Sequence, residues 1–254
     1  MPTSAWSKGE APVSSPVRTA AVSQAVAIAW RDLRSTYVSP FGIGVTAGFV
    51  ALSGVLLTLA LGANQARLDG WFGPLMVVVA VLASLLTMRS FAEEERAGSL
   101  ELLLTAPLRL WQVVVGKLLG AAGVLAAITV ATVVCPLLVG SMGDPDGGPI
   151  VTGYVGLLLA GVAFLAVGLA VSSATSNPLV AAAGSMALLA GLWFAGVVAP
   201  GLGHPARDVL QYLSPSSHVT GFLRGTLALV DVTYFLSLGL AGGAGAVAVL
   251  SARR

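Results

Sequence analysis

The sequence predicts an all-α integral membrane protein. It would carry six transmembrane helices, an N-terminal interfacial amphipathic helix and a short cytoplasmic helix between spans two and three. Three observations lead there. Only 9% of the 254 residues are charged while 56% are hydrophobic, against about 25% charged in a soluble domain. The apolar residues gather into six runs, each long enough for a bilayer that needs about 20 residues. The basic residues fall almost entirely on one side of those runs. With 13 Lys+Arg and 11 Asp+Glu, the chain cannot cover a water-facing surface. That excludes a soluble enzyme, a disordered tail and an electrostatic nucleic-acid binder.

Residues 1–20, with Pro2, Pro12 and Pro16 among serines, read as a disordered cytoplasmic arm; no signal peptide is apparent. Residues 21–254 read as one transmembrane domain. Val22, Val26, Ala29, Trp30, Leu33 and Tyr37 form an apolar stripe at helical spacing, with Arg31, Asp32 and Arg34 off it. Such a segment lies flat in the inner interface, and Pro40 separates it from the first span.

The spans run at about 41–62, 71–88, 112–139, 151–173, 178–200 and 229–251. A charge at a helix centre costs roughly 2.5–3.5 kcal/mol, and the centres are free of charge. Lys117, near one end of the third run, is the one basic intrusion; Pro136, near its other end, predicts a kink. With the N-terminus inside, Lys8, Arg18, Arg31, Arg34, Arg89, Arg96, Arg109, Lys117, Arg253 and Arg254 are cytoplasmic. Only Arg67, Arg207 and Arg224 lie outside. This bias sets both termini in the cytoplasm of a multi-pass cell-membrane protein.

The loop between spans two and three gathers Glu93, Glu94, Glu95 and Glu101 on the side that is normally basic. Gly98 is expected to break the helix leaving span two, and Ser99 to cap a new helix from Leu100 to Leu104. Thr105 and Pro107 then stop it. Leu100, Leu103 and Leu104 would form an apolar side suited to a partner's groove, or to packing on the chain's own bundle.

The run from Thr87 to Pro107, TMRSFAEEERAGSLELLLTAP, resembles the cytoplasmic loop of ABC-2 type transporter permeases. It is most similar to the GldF-like, gliding-motility-type branch, whose pattern TMR-x-x-AEE-x-x-x-G-[ST]-x-E-L-L-x-[ST]-x-P continues into Val-x-Gly-Lys, here Val115-Gly116-Lys117. Further similarities follow in order at Arg31–Arg34 with Ser39-Pro40, Gly153–Leu159, Ser172–Asn177, Leu213–His218, Arg224-Gly225 and Asp231–Leu238. The resemblance implies a permease subunit, an exporter working as a dimer with a second copy or a sibling. A separate ATPase subunit would dock on the 89–107 loop and hold the ATP. Glu93, Glu94, Glu95, Gly98, Ser99 and Glu101 are the expected coupling residues. The alternative is a non-transporting membrane anchor or force relay.

The remaining motifs argue against other chemistry. No G-x-x-x-x-G-K-[ST] occurs, since Gly116-Lys117 runs into Leu118 without an upstream glycine loop. No catalytic, cofactor or metal residue is predicted. His204 and His218 read as loop or cap residues rather than ligands. Asp144-Pro-Asp-Gly-Gly148 reads as a tight outer turn, and Cys135 sits alone in an apolar run. Gly44/Gly48, Gly116/Gly120 and Gly239/Gly243 allow close helix approach, within the bundle or across a dimer. The 201–228 segment, with Pro205 and Pro215 among apolar residues, is expected to re-enter the membrane. An ion-coupled transporter is disfavoured, because the span centres lack ionisable side chains.

Overall fold

The structure, a computed structural model, describes residues 27, 29–35, 39–62, 69–96, 98, 109–143 and 146–253. The expected N-terminal arm, Val22, Val26 and Tyr37 lie outside them, as does the expected helix at Leu100–Leu104.

Among the described residues the chain is helical and contains no strand. Six helices are long and apolar enough to cross a membrane: Pro40–Gly62, Gly70–Arg96, Leu110–Ser141, Gly147–Ser173, Pro178–Gly201 and Leu229–Ala252. In chain order the elements are α1 (29–35), α2 (Pro40–Gly62), α3 (Asp69–Thr87), α4 (Ala92–Arg96), α5 (Leu110–Ala131) and α6 (Val134–Met142). Then come α7 (Gly147–Ser173), α8 (Pro178–Val198) with a 3-10 turn at Ala199–Gly201, α9 (Ala206–Leu213), α10 (Pro215–Leu223) and α11 (Leu229–Ala252).

Local chemistry sets the helix starts. Ser39 accepts from the Gly42 N–H at 3.0 Å just before Pro40, and Asn177 accepts from the Leu179 N–H at 3.0 Å just before Pro178. Both pair an N-cap with a proline whose missing N–H is harmless in the first turn. Asp146 accepts from the Gly148 N–H at 3.1 Å, so Asp146 caps α7 and Gly147 and Gly148 begin it; Asp144 and Pro145 of the expected outer turn lie outside the described residues. A carboxylate there also faces the positive end of the helix. The third span is interrupted at Thr132–Val133, between α5 and α6. Pro136 cannot donate to the Thr132 carbonyl, and the break falls where that bond is missing.

α7 is the hub. It packs against α3, α5, α8, α10 and α11, and is buried along most of its length. Trp71, Phe72, Leu75, Leu125, Ile128, Leu157, Phe164 and Phe235 form the main core around it. Helices in lipid associate through close packing more than through the hydrophobic effect, and small residues on α7 and α11 permit it. A Cβ on Gly242 would stand 2.6 Å from the Ala166 carbonyl carbon and 2.7 Å from the Val167 nitrogen. The Trp71 indole donates to the Ser53 carbonyl at 2.9 Å, fastening α3 to α2.

α1 packs on α5. A Cβ on Gly120 would meet the Ala29 carbonyl oxygen at 3.1 Å and the Asp32 Cβ at 3.2 Å, and Leu33 covers Gly123. Ala29 and Leu33 of the expected stripe face α5 together with Asp32, which was expected off it, while Trp30 is exposed. The three glycine pairs also part company. Gly116/Gly120 is used inside the bundle, Gly239 lies against Ala163, and Gly44, Gly48 and Gly243 have nothing within 4 Å.

Candidate functional site

The helix leaving span two ends at Thr87, earlier than Gly98 where the break was expected. Met88–Phe91 form a turn, and α4 follows as a separate short helix. The turn is held from across the bundle. The Ser172 hydroxyl, near the end of α7, accepts from the N–H groups of Phe91 at 3.2 Å and Ala92 at 3.3 Å, and donates to the Met88 carbonyl at 3.4 Å. One buried side chain thus meets donors that a new helix leaves open. Phe91 anchors the turn from below, fully buried among Val113, Val114, Leu169, Ala246 and Leu250. Gly98, at φ +71°, ends α4 with its N–H on the Glu95 carbonyl at 3.0 Å. That left-handed conformation favours glycine.

The three consecutive glutamates of α4 point in three directions, as successive helix positions must. Glu94 turns inward and accepts from the Lys117 ammonium on α5 at 2.8 Å. Lys117 also lies 3.6 Å from the Asp32 carboxylate of α1, and Arg31 lies 3.4 Å from Asp32 and 3.8 Å from Glu94. The Lys117 side chain is only 4% exposed, where an ammonium persists only with partners. Its charge is met by two carboxylates and by the Phe91 ring, 5.1 Å away. Glu95 turns the other way, to Arg253 at the end of α11. Glu93 is exposed.

α4 is thereby tied to α1, α5, α7 and α11 at once. Beside it opens a cleft of about 470 Å³, with Arg31, Arg89, Glu93, Glu94 and Lys117 on its polar walls and Leu86, Ala121 and Val124 on its apolar side. The Arg89 guanidinium lies over the Phe41 ring at 4.5 Å.

Of the six residues read as coupling residues, the structure brings Glu93, Glu94, Glu95 and Gly98 together on or at the end of α4. Ser99 and Glu101 lie outside the described residues. Sequence reasoning missed Asp32, Ser172 and Arg253 as partners of this loop. Lys117 carried a visible signal, a lysine inside an apolar run, but not the identity of its partners.

The opposite end of the bundle is closed by the 201–228 segment. α9 lies outside, with no buried residue, while α10 is wedged among α7, α8 and α11 through Pro215, His218, Val219 and Phe222. Phe222 sits on Gly156, about 14 Å along α7 from its first residue at 1.5 Å per residue. Thr152 donates to the Phe222 carbonyl at 2.7 Å, and Ser214 donates to the Trp193 carbonyl at 2.9 Å. α10 thus packs into this end of the bundle as a helix braced by neighbouring side chains and carbonyls. His218 stacks on Tyr234 with ring centroids 4.0 Å apart and meets Asp231 at 2.8 Å; His204 meets Asp208 at 2.7 Å. Among the described residues no three His, Cys, Asp or Glu side chains converge as metal ligands.

Six apolar helices and a short acidic helix pinned across the bundle agree with what comparison finds. The family model described as ABC-2 family transporter protein matches residues 22–241. The chain belongs to the ABC-2 transporter family. It is a multi-pass membrane protein and a transmembrane component of an ABC transport system, a role distinct from that of the catalytic ATPase. No curated protein matches it.

Proposed function

We propose that this chain is the permease subunit of an ABC exporter of the GldF-like branch, set in the cell membrane with both termini cytoplasmic. It forms the pathway with a second permease, identical or sibling, and is driven by a separate ATPase subunit that docks on the 89–107 loop and binds the ATP. The basic-residue asymmetry of the sequence supports the orientation, and the similarity of the Thr87–Pro107 run supports the branch and the direction.

The observation that carries the reading is the fastening of α4. An element that received a push from a partner and yielded locally would dissipate it. α4 is instead held by Glu94 to Lys117 and so to α1 and α5, by Glu95 to Arg253, and by Ser172 to α7. A displacement of α4 is therefore shared among four other helices, the condition for converting a local push into a rigid-body shift. The carboxylates divide their work: Glu94 and Glu95 fasten α4 from within, and Glu93 faces outward, toward a basic groove on the ATPase.

Co-purification tests this. Co-expressed with ATPases from its own genome, the wild-type chain retains one of them, and Glu93→Lys or Glu101→Lys releases it. Glu94→Lys serves as a contrast, since it sets two cations together and disturbs the bundle itself. A folded wild-type chain that retains no ATPase contradicts the proposal.

A further inference from the structure

We infer that the cleft beside α4 binds the headgroup of one phospholipid, a phosphate followed by a primary ammonium, as in phosphatidylethanolamine. The charges of the cleft select that ligand. Arg31, Lys117, Asp32 and Glu94 satisfy one another, cation against carboxylate. What remains on the walls is Arg89, on the turn after α3, and Glu93, on α4. Among the described residues the Arg89 guanidinium meets the Phe41 ring at 4.5 Å and no carboxylate, and Glu93 meets no cation.

A guanidinium is a planar fork of N–H donors with no acceptor, and it matches the oxygens of a phosphate. Stacking on Phe41 steadies the Arg89 plane and leaves its N–H groups for a ligand. The Ser90 hydroxyl, also on the cleft wall, offers a further donor, whereas the Ser35 hydroxyl already donates to the Asp32 carbonyl at 3.0 Å. A headgroup carrying only a phosphate would set its charge against the Glu93 carboxylate. One that also carries an ammonium matches both remaining charges. A primary ammonium donates hydrogen bonds to Glu93, which the quaternary ammonium of choline cannot do. A carboxylate accepts from more than one donor, so this use of Glu93 does not exclude its contact with the ATPase.

The shape of the cleft favours a lipid over a free ion. α2 begins at Pro40 and α3 ends at Thr87, so Phe41 and Arg89 stand where apolar helix gives way to polar chain, the level of headgroups. Leu86, Ala121 and Val124 form an apolar wall. Val124 lies about 10 Å beyond Lys117 along α5, toward the hydrocarbon, at 1.5 Å per residue. Ile43 on α2 and Leu119 on α5 are exposed apolar residues near this level, a surface that lipid tails cover. The cleft is thus charged at one end and apolar at the other. Its volume of about 470 Å³ falls among small-ligand sites of about 300–1,000 Å³. Inorganic phosphate would leave the apolar end unfilled.

The test is native mass spectrometry of the purified full-length chain without an ATPase, titrated with phosphatidylethanolamine and with phosphatidylcholine of the same acyl chains. The wild type binds the first at least about fivefold more tightly. Glu93→Gln brings the two lipids within about twofold of each other, and Arg89→Gln weakens phosphatidylethanolamine at least about tenfold. Arg207→Gln, at the opposite end of the bundle, leaves binding as it was, and excess inorganic phosphate does not displace the lipid. Equal affinity of the wild type for the two lipids overturns the proposal. So does wild-type affinity in Arg89→Gln, an equal loss in Arg207→Gln, or displacement by inorganic phosphate. Should Arg89→Gln fail to fold, Arg89→Lys, which keeps the charge but not the fork, is expected to weaken binding, and unchanged affinity there overturns the proposal. The readout involves neither the ATPase nor the orientation of the chain, so failure here leaves the transport reading untouched.

Discussion

The two ends of the bundle are fastened by different physics. At the α4 end most side-chain ties are ionic, and Ser172 adds hydrogen bonds to the turn before α4: Lys117, Glu94, Asp32 and Arg31 join three helices, with contacts ranging from 2.8 to 3.8 Å. At the α9–α10 end the ties are short hydrogen bonds to backbone carbonyls, from Thr152, Ser214, Tyr234 and His218, around a stack of aromatic rings. Coulomb attraction falls slowly with distance and tolerates rotation. A hydrogen bond weakens steeply once its angle is spoiled. The first kind of tie stays engaged while helices shift, which suits an end that transmits a displacement. The second is lost once that geometry is spoiled, which suits an end held in one arrangement.

Four single substitutions and one double break or sharpen this contrast, the singles in descending order of effect. Lys117→Met leaves Glu94 and Asp32 with a buried deficit of positive charge, and should cost about 3–5 kcal/mol in detergent unfolding. Joining it to Glu94→Leu should recover much of that loss, because the pair costs most when half of it is removed. Ser172→Ala strips a partner from two buried N–H groups at the start of α4, a loss of about 1–3 kcal/mol, with faster exchange at Phe91 and Ala92. Thr152→Val, its counterpart at the other end, removes one bond to the Phe222 carbonyl and should cost about 1 kcal/mol, confined to α10. Gly44→Ala meets nothing within 4 Å and should change subunit stability by no more than about 0.5 kcal/mol. If Thr152→Val proved more disruptive than Lys117→Met, the division between the two ends would be wrong.

Much of this architecture is legible in the sequence because it rests on one-dimensional signals. The six spans are continuous apolar runs, and Pro136 marks the interruption of the third. The prominence of the acidic loop was equally readable, since four glutamates stand where basic residues usually do. What could not be read depends on distance in three dimensions. Glu94 and Lys117 are 23 residues apart, and Phe91 and Ser172 are 81 apart. No local spacing identifies such partners. The break after span two was misplaced for the same reason: Gly98 is a visible breaker, but the earlier turn at Met88–Phe91 is stabilised by a serine from another helix. Likewise three glycine pairs look alike in sequence, yet only their neighbours distinguish a helix crossing from an open face.

The central claim is that the α4 end receives the ATPase. A photoreactive amino acid placed at the position of Glu93, or at the position of Arg207 on α9, tests it most directly in cells that co-express the ATPase. The expected result is a cross-link to the ATPase from position 93 and none from position 207. Capture from position 207, or a co-purifying ATPase that cross-links from neither position, would contradict it.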